Sequence, residues 1–184
     1  MSVLAIAGSP SHPSRTYSVL EYAKHHLETK RVSTTLFSVR DLPAEALLFA
    51  RFDDSSVKEA IALVEQATAL VIATPVYKAA YTGVLKAFLD LLPQDALLGK
   101  PILPIATGGA IAHLLSIDYA LKPVLSTLGA RHILAGVYII DSQIQRQPDG
   151  SVELAEEVEQ RLQISLNELI ASLQLTPAPV GSAS

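Results

Sequence analysis

The chain has no cysteine and no tryptophan, a single methionine, and aromatic residues at only 5% of its 184 positions. Without cysteine there is no disulfide, no thiolate nucleophile and no thiolate metal site. No apolar run approaches the roughly 20 residues that span a bilayer. The first residues pass straight into a strand pattern with no basic segment ahead of them, so neither a secretory leader nor a membrane anchor is expected. The expectation is a cytoplasmic protein with no membrane partner. Charged residues are sparse at 17%, the net charge is −4 and no basic cluster occurs. Nucleic acid is therefore an unfavourable partner. Several catalytic signatures are missing as well. No Gly-x-x-x-x-Gly-Lys-Ser/Thr loop marks a nucleotidase, no Gly-x-Ser-x-Gly marks a serine hydrolase, and no His-x-x-x-His pair marks a zinc helix. Asp53-Asp54 has no matching ligands downstream, so it reads as a turn or helix cap; no metal is expected.

What the chain does have is alternation. Short apolar runs at residues 3–7, 33–38, 69–74, 102–107 and 133–140 read as strands, most of them covered on both faces. Helical patterns fall between and after them, at residues 15–29, 55–67, 82–92, 117–128 and 151–173. The last repeats at Leu154, Val158, Leu162, Leu166, Leu169 and Leu173. Ser56-Val57-Lys58-Glu59 has the form of a capping box at the start of the second long helix. Residues 42–54 form an irregular insertion with room for a short helix. Alternation of this kind predicts an α/β domain with a parallel sheet and helices on both faces. Five strands fit the flavodoxin-like order 2-1-3-4-5, in which ligands sit beyond the carboxyl ends of the strands. The domain is expected over residues 1–174, with a flexible tail over 175–184.

Three loops should then share one pocket. The first, Gly8-Ser9-Pro10-Ser11-His12-Pro13-Ser14-Arg15-Thr16, joins a strand to a helix whose Leu20, Ala23 and Leu27 share a face. Free N–H groups and the helix dipole favour an anion there. Ser9, Ser14 and Thr16 add hydroxyl donors, and Arg15 adds a fixed positive charge. A cation at a helix start opposes the dipole unless an anion joins it, which suits a cofactor phosphate. The second loop, Thr74-Pro75-Val76-Tyr77-Lys78-Ala79-Ala80-Tyr81-Thr82-Gly83, offers Tyr77 to a flat ligand, backbone amides of residues 77–79 to a heterocycle, and Lys78 to a ligand carbonyl or a second nucleotide. The third, Thr107-Gly108-Gly109-Ala110, lets the backbone approach a planar ring and donate to it. His113 follows as a further pocket contact, or as a structural residue. Each signal is ordinary alone; their convergence at one sheet edge is what points to a cofactor.

The blocks Gly8-Ser9-Pro10, Pro13-Ser14-Arg15, Ala50-Arg51-Phe52-Asp53, Ala73 through Tyr81, Ala106-Thr107-Gly108-Gly109 and Asp118 through Leu125 resemble the NADPH-dependent FMN reductases, above all the reductase of two-component alkanesulfonate monooxygenase systems. The resemblance covers about residues 3–143. It implies a flavodoxin-like fold, FMN in the three-loop pocket, and hydride transfer from nicotinamide C4 of NADPH to flavin N5 without a catalytic side chain. It assigns the FMN phosphate to Ser9, Ser14, Arg15 and Thr16, the ribityl chain and ring to Pro75, Val76, Tyr77 and Lys78, and the ring edge to Thr107, Gly108 and Gly109. Members often carry a basic residue where this chain has Ser11, which shifts weight to Arg15. The resemblance further implies a homodimer or homotetramer, a π-bulge at Tyr119 at a subunit interface near the flavin, and delivery of reduced FMN to a partner monooxygenase in sulfonate sulfur metabolism. Two other readings remain: a quinone or azo reductase that keeps its FMN, and a non-enzymatic flavin-binding electron carrier. The modest, scattered charge disfavours the carrier.

Overall fold

Two apolar layers sandwich a parallel sheet of five strands in the order β2-β1-β3-β4-β5, as the alternating pattern predicts. The strands are β1 (Ser2–Ala7), β2 (Ser33–Ser38), β3 (Ala69–Pro75), β4 (Ile102–Gly108) and β5 (Val137–Ile140). The structure is a computed structural model, and it describes residues 1–147 and 151–175. β1 lies inside the sheet, paired with β2 through Leu4↔Thr35 and with β3 through Leu4↔Leu70. Its side chains alternate between faces. Leu4 and Ile6 enter one core, while Val3, Ala5 and Ala7 enter the other. Both faces are covered, which is why the strand reads as an unbroken apolar run.

The first layer holds α2 (Ala44–Leu48), α3 (Ser55–Gln66), α4 (Gly83–Leu89) and α5 (Lys122–Thr127). The second holds α1 (Arg15–Thr29) and α6 (Glu156–Leu175). Val158, Leu162, Leu166 and Leu169 of α6 are fully buried against it. Each contributes about 1.5–3 kcal/mol as an upper estimate.

Five local expectations are corrected. The cap of α3 is Asp54, whose carboxylate accepts from the N–H groups of Ser56 and Val57; Ser56 lies inside the helix, so the capping-box reading fails. β5 starts at Val137 because Gly136 takes φ +94° and breaks the extended run. Only an isolated bridge, Ile102↔Ile133, marks the earlier part. α4 is shorter than expected, running from its cap Thr82 to Leu89. The helix expected over 117–128 is regular only over Lys122–Thr127, and ahead of it Ile117–Leu121 forms a π turn, the bulge that the family resemblance implies at Tyr119. The helix expected from residue 151 starts only at Glu156. A strand, β7 (Val152–Leu154), precedes it and pairs antiparallel with β6 (Ile144–Arg146). Leu154 is buried in the same cluster as Val158 and Leu162, so the helical period ran on through a strand residue. Leu175 ends α6, and the expected tail beyond it lies outside the described residues. No described helix is long and apolar enough to cross a membrane.

Candidate active site

β1, β3 and β4 all end at one edge of the sheet, and the loops that leave them meet there. The loop after β1 is drawn in by backbone and side chain together. Gly8 N–H donates to the Ala73 carbonyl at 2.7 Å, and the Thr82 hydroxyl donates to the Gly8 carbonyl. Gly8 must be glycine here, because a Cβ would meet Leu85 Cβ at 2.8 Å. Ser14 caps α1, its hydroxyl oxygen accepting from the Tyr17 N–H at 3.2 Å. The first intrahelical bond is Ser18 N–H to the Ser14 carbonyl. The N–H groups of Arg15 and Thr16 precede it and point out of the helix start.

A cavity of about 530 Å³ opens at this edge. Ser9, Ser14, Arg15 and Thr16 line it, together with Pro75 and Tyr77 from β3 and its loop, and Thr107 from β4. The structure thus brings together seven of the predicted residues. Their hydrogen bonds leave donors over. The oxygens of Ser9 and Ser14 each accept a backbone N–H, from Ser11 and Tyr17 respectively, so their hydroxyl hydrogens remain to donate. Thr16 and Thr107 hydroxyls meet at 2.7 Å, which ties the start of α1 to the end of β4 and leaves one hydroxyl hydrogen of the pair over. Arg15 is exposed and has no ion-pair partner among the described residues. Buried hydroxyl donors, open helix N–H groups and an unpaired guanidinium are a donor set for an anion.

The remaining predicted residues do not line this cavity. Val76 packs with Ala106, Ile117 and Tyr138. Lys78 is exposed at φ +51° and Ala79 follows at φ +65°, forming a tight turn closed by the Tyr77 N–H to the Ala80 carbonyl at 2.8 Å. That bond uses the Tyr77 amide, which therefore is not open to a heterocycle as the loop's sequence suggests. Gly108 has a packing reason to be glycine that its sequence does not show: a Cβ there would meet the Tyr138 hydroxyl at 2.3 Å. Close packing beneath Tyr138, whose hydroxyl donates to the Ala110 carbonyl at 2.7 Å, is what requires glycine. Burial holds the Tyr138 hydroxyl above its ordinary pKa, with Asp141 adding to the rise. Gly109 faces open space. His113 is exposed in a 3₁₀ turn, Ile111–His113, ahead of the π turn, where Tyr119 is 79% exposed.

Sequence reasoning missed other residues that line the cavity: Ser11, Pro13, Asp141, Ile144 and Arg146. Ser11 faces Tyr77 across the mouth, hydroxyl to hydroxyl at 3.4 Å. Asp141, Ile144 and Arg146 follow β5. The fifth strand's own loop carried no glycine or hydroxyl cluster to betray it.

Sheet order and an anion-ready cavity at the carboxyl edge define a flavodoxin-like α/β protein. A flavodoxin from the domain Archaea shares the fold, at TM-score 0.63 and 11% identity, covering 95% of this chain and 99% of that one. More specific matches exist. The model for "NADPH-dependent FMN reductase" matches residues 1–145. An FMN reductase (NADPH) of Pseudomonas putida KT2440 is 48% identical over 181 residues, covering 98% of this chain and 92% of that protein. An FMN reductase (NADPH) of Escherichia coli K12 is 53% identical over 144 residues, 78% of this chain and 75% of that protein. The apo crystal structure of an NADH:FMN oxidoreductase, EMOB, superposes at TM-score 0.82 with 41% identity, covering 97% of this chain and 91% of that one. The chain belongs to the NADPH-dependent FMN reductases, oxidoreductases whose cofactors are FMN and NADPH.

Proposed function

We propose that the three-loop cavity is the flavin site, and that this FMN reductase releases its reduced flavin to a partner monooxygenase, in sulfonate sulfur assimilation. The observation that carries the site is the donor set at the start of α1: Ser9, Ser14 and Thr16 buried with hydroxyl hydrogens to spare, beside an Arg15 that has no ion-pair partner among the described residues. Those groups fit a phosphate monoester and would hold the FMN phosphate. Pro75 and Tyr77 would flank the ring system, with Val76 and Lys78 shaping the loop behind them. Thr107, Gly108 and Gly109 would border the ring edge, with His113 as a further contact beyond them. When bound, FMN supplies the two-electron acceptor for the hydride that NADPH gives up. The protein's part is to anchor and orient, so no side chain serves as acid, base or nucleophile.

Release of flavin is supported by the rim. Tyr77 is 48% exposed, so the ring end of the site opens to solvent and is not sealed beneath a lid. A homodimer or homotetramer is supported by the apolar surface around the π turn, where Ile111, Leu114, Leu115 and Tyr119 are all exposed; clustered apolar surface of this kind marks interaction sites. The test of the reading is steady-state turnover. NADPH oxidation should rise with added FMN in a saturable way, and reduced FMN should be recoverable by a flavin-dependent monooxygenase added in trans. Oxidation that does not depend on added FMN, with flavin co-purifying and quinone as the better acceptor, would favour the bound-flavin quinone reductase instead.

A further inference from the structure

The cavity has a second guanidinium, and it arrives from the hairpin that follows the sheet. β6 is fixed at its first residue: Ile144 is buried in the layer of α1 and α6 and pairs with Leu154 of β7. Residues two apart on a strand share a face. Arg146 therefore projects on the same side as Ile144, and both line the cavity. Two arginines, Arg15 and Arg146, thus border one space from two separate elements. Neither has an ion-pair partner among the described residues, and the cavity's carboxylate, Asp141, pairs with neither.

Two like charges on one cavity repel, and an anion between them turns that repulsion into attraction. The charge required can be bounded. A phosphate monoester carries about 1.5 to 2 negative charges at neutral pH. The N-terminus of α1 presents roughly half a positive charge, and Arg15 one more. Against the monoester together with the Asp141 carboxylate, which also lines the cavity, that roughly +1.5 falls about 1 to 1.5 charges short, and Arg146 supplies one more positive charge.

We propose that Arg146 is a phosphate-positioning residue: with Arg15 it binds the monoester of FMN, which makes the β6–β7 hairpin part of the cofactor site. This rests on the reading of the cavity as the flavin site. The reaction has another monoester, the 2′-phosphate of NADPH. Arg146 shares its cavity with Ser9, Ser14, Arg15 and Thr16, the donors read for flavin phosphate, and that favours FMN.

The test compares FMN with riboflavin, which lacks the phosphate, by fluorescence titration of the full chain. Wild type should bind FMN more tightly than riboflavin. Arg146→Gln should weaken FMN roughly tenfold or more, the scale of one charged hydrogen bond, and leave riboflavin unchanged. Arg146→Lys, which keeps the charge, should recover most of the loss. The proposal is overturned if Arg146→Gln leaves FMN binding intact, if FMN and riboflavin weaken together, or if Arg146→Lys is as weak as the glutamine variant. It is equally overturned if FMN is unaffected while the KM for NADPH rises and that for NADH does not, which would assign Arg146 to the coenzyme. A wild-type chain that cannot tell FMN from riboflavin would instead remove the flavin-phosphate reading itself, and the role of Arg146 with it.

Discussion

A methyl group added at Gly108 would sit 2.3 Å from the Tyr138 hydroxyl and 3.2 Å from its ring carbon Cζ. The tyrosine cannot yield cheaply, because its hydroxyl is bonded to the Ala110 carbonyl at 2.7 Å. Gly108→Ala should therefore cost about 1–3 kcal/mol, the range for overpacking. At Gly109 nothing lies within 4 Å, and Gly109→Ala should stay within about 0.5 kcal/mol of wild type. Urea midpoints of the two variants check the contrast; equal midpoints would mean that Tyr138 swings away freely. The two glycines look alike in sequence because the group that separates them stands some thirty residues downstream. The loop after β1 was legible as part of the cavity for the opposite reason. Ser9, Ser14, Arg15 and Thr16 lie in one short stretch between a strand and a helix, so local chemistry and fold position coincide. Arg146 carries no local mark at all; only the hairpin turns it toward the cavity.

Element boundaries show where periodicity stops being informative. Five helices were anticipated from apolar spacing, yet three of them have first turns set by a single side chain that spacing does not weigh: Ser14 for α1, Asp54 for α3 and Thr82 for α4. Asp54 accepts from two N–H groups at the start of α3, at 2.9 and 3.3 Å, and its negative charge suits the positive helix end. Asp54→Ala should destabilise the chain by about 1 kcal/mol, read from thermal and urea unfolding, whereas Ser56→Ala should change little. A loss confined to Ser56→Ala would restore the capping-box reading of that segment. The β6–β7 hairpin was hidden more deeply. Leu154 serves the same apolar layer as Val158 and Leu162, so a strand residue fell on a helical beat. The π turn at Ile117–Leu121 came into view only through the family resemblance at Asp118 through Leu125, since one extra residue in a helical turn leaves no trace in a short apolar pattern.

Across the molecule, the sheet order and both layers followed from alternation, because uninterrupted apolar strands need cover on two sides. Stability against alkali is a property of the same burial. Tyr17, Tyr22, Tyr81 and Tyr138 all have pKa values raised above 10.0, with burial as the largest cause. A phenol whose folded pKa exceeds its unfolded value favours folding below about pH 10, and that contribution is lost as pH climbs through the raised values. Lys100 runs the other way: burial lowers its pKa below 10.5, so its burden on the fold lessens as it loses its proton. With four phenols, joined by Lys86, whose hydrogen bond to Asp90 raises its pKa, against Lys100, folding should weaken above about pH 10. Tyrosinate absorbance should then rise together with loss of circular dichroism; tyrosines that ionise while the spectrum holds would contradict this. One consequence reaches beyond any loop. The family match ends at residue 145, yet α6, which begins at Glu156, shares with α1 the cover of one side of the sheet, burying Val158, Leu162, Leu166 and Leu169 there. A fragment trimmed to the matched region would keep Ser9, Ser14, Arg15, Thr16, Pro75, Tyr77 and Thr107 at the cavity yet lose the apolar cover that α6 lays on the sheet, so the stretch by which this chain is recognised is shorter than the stretch that closes its core.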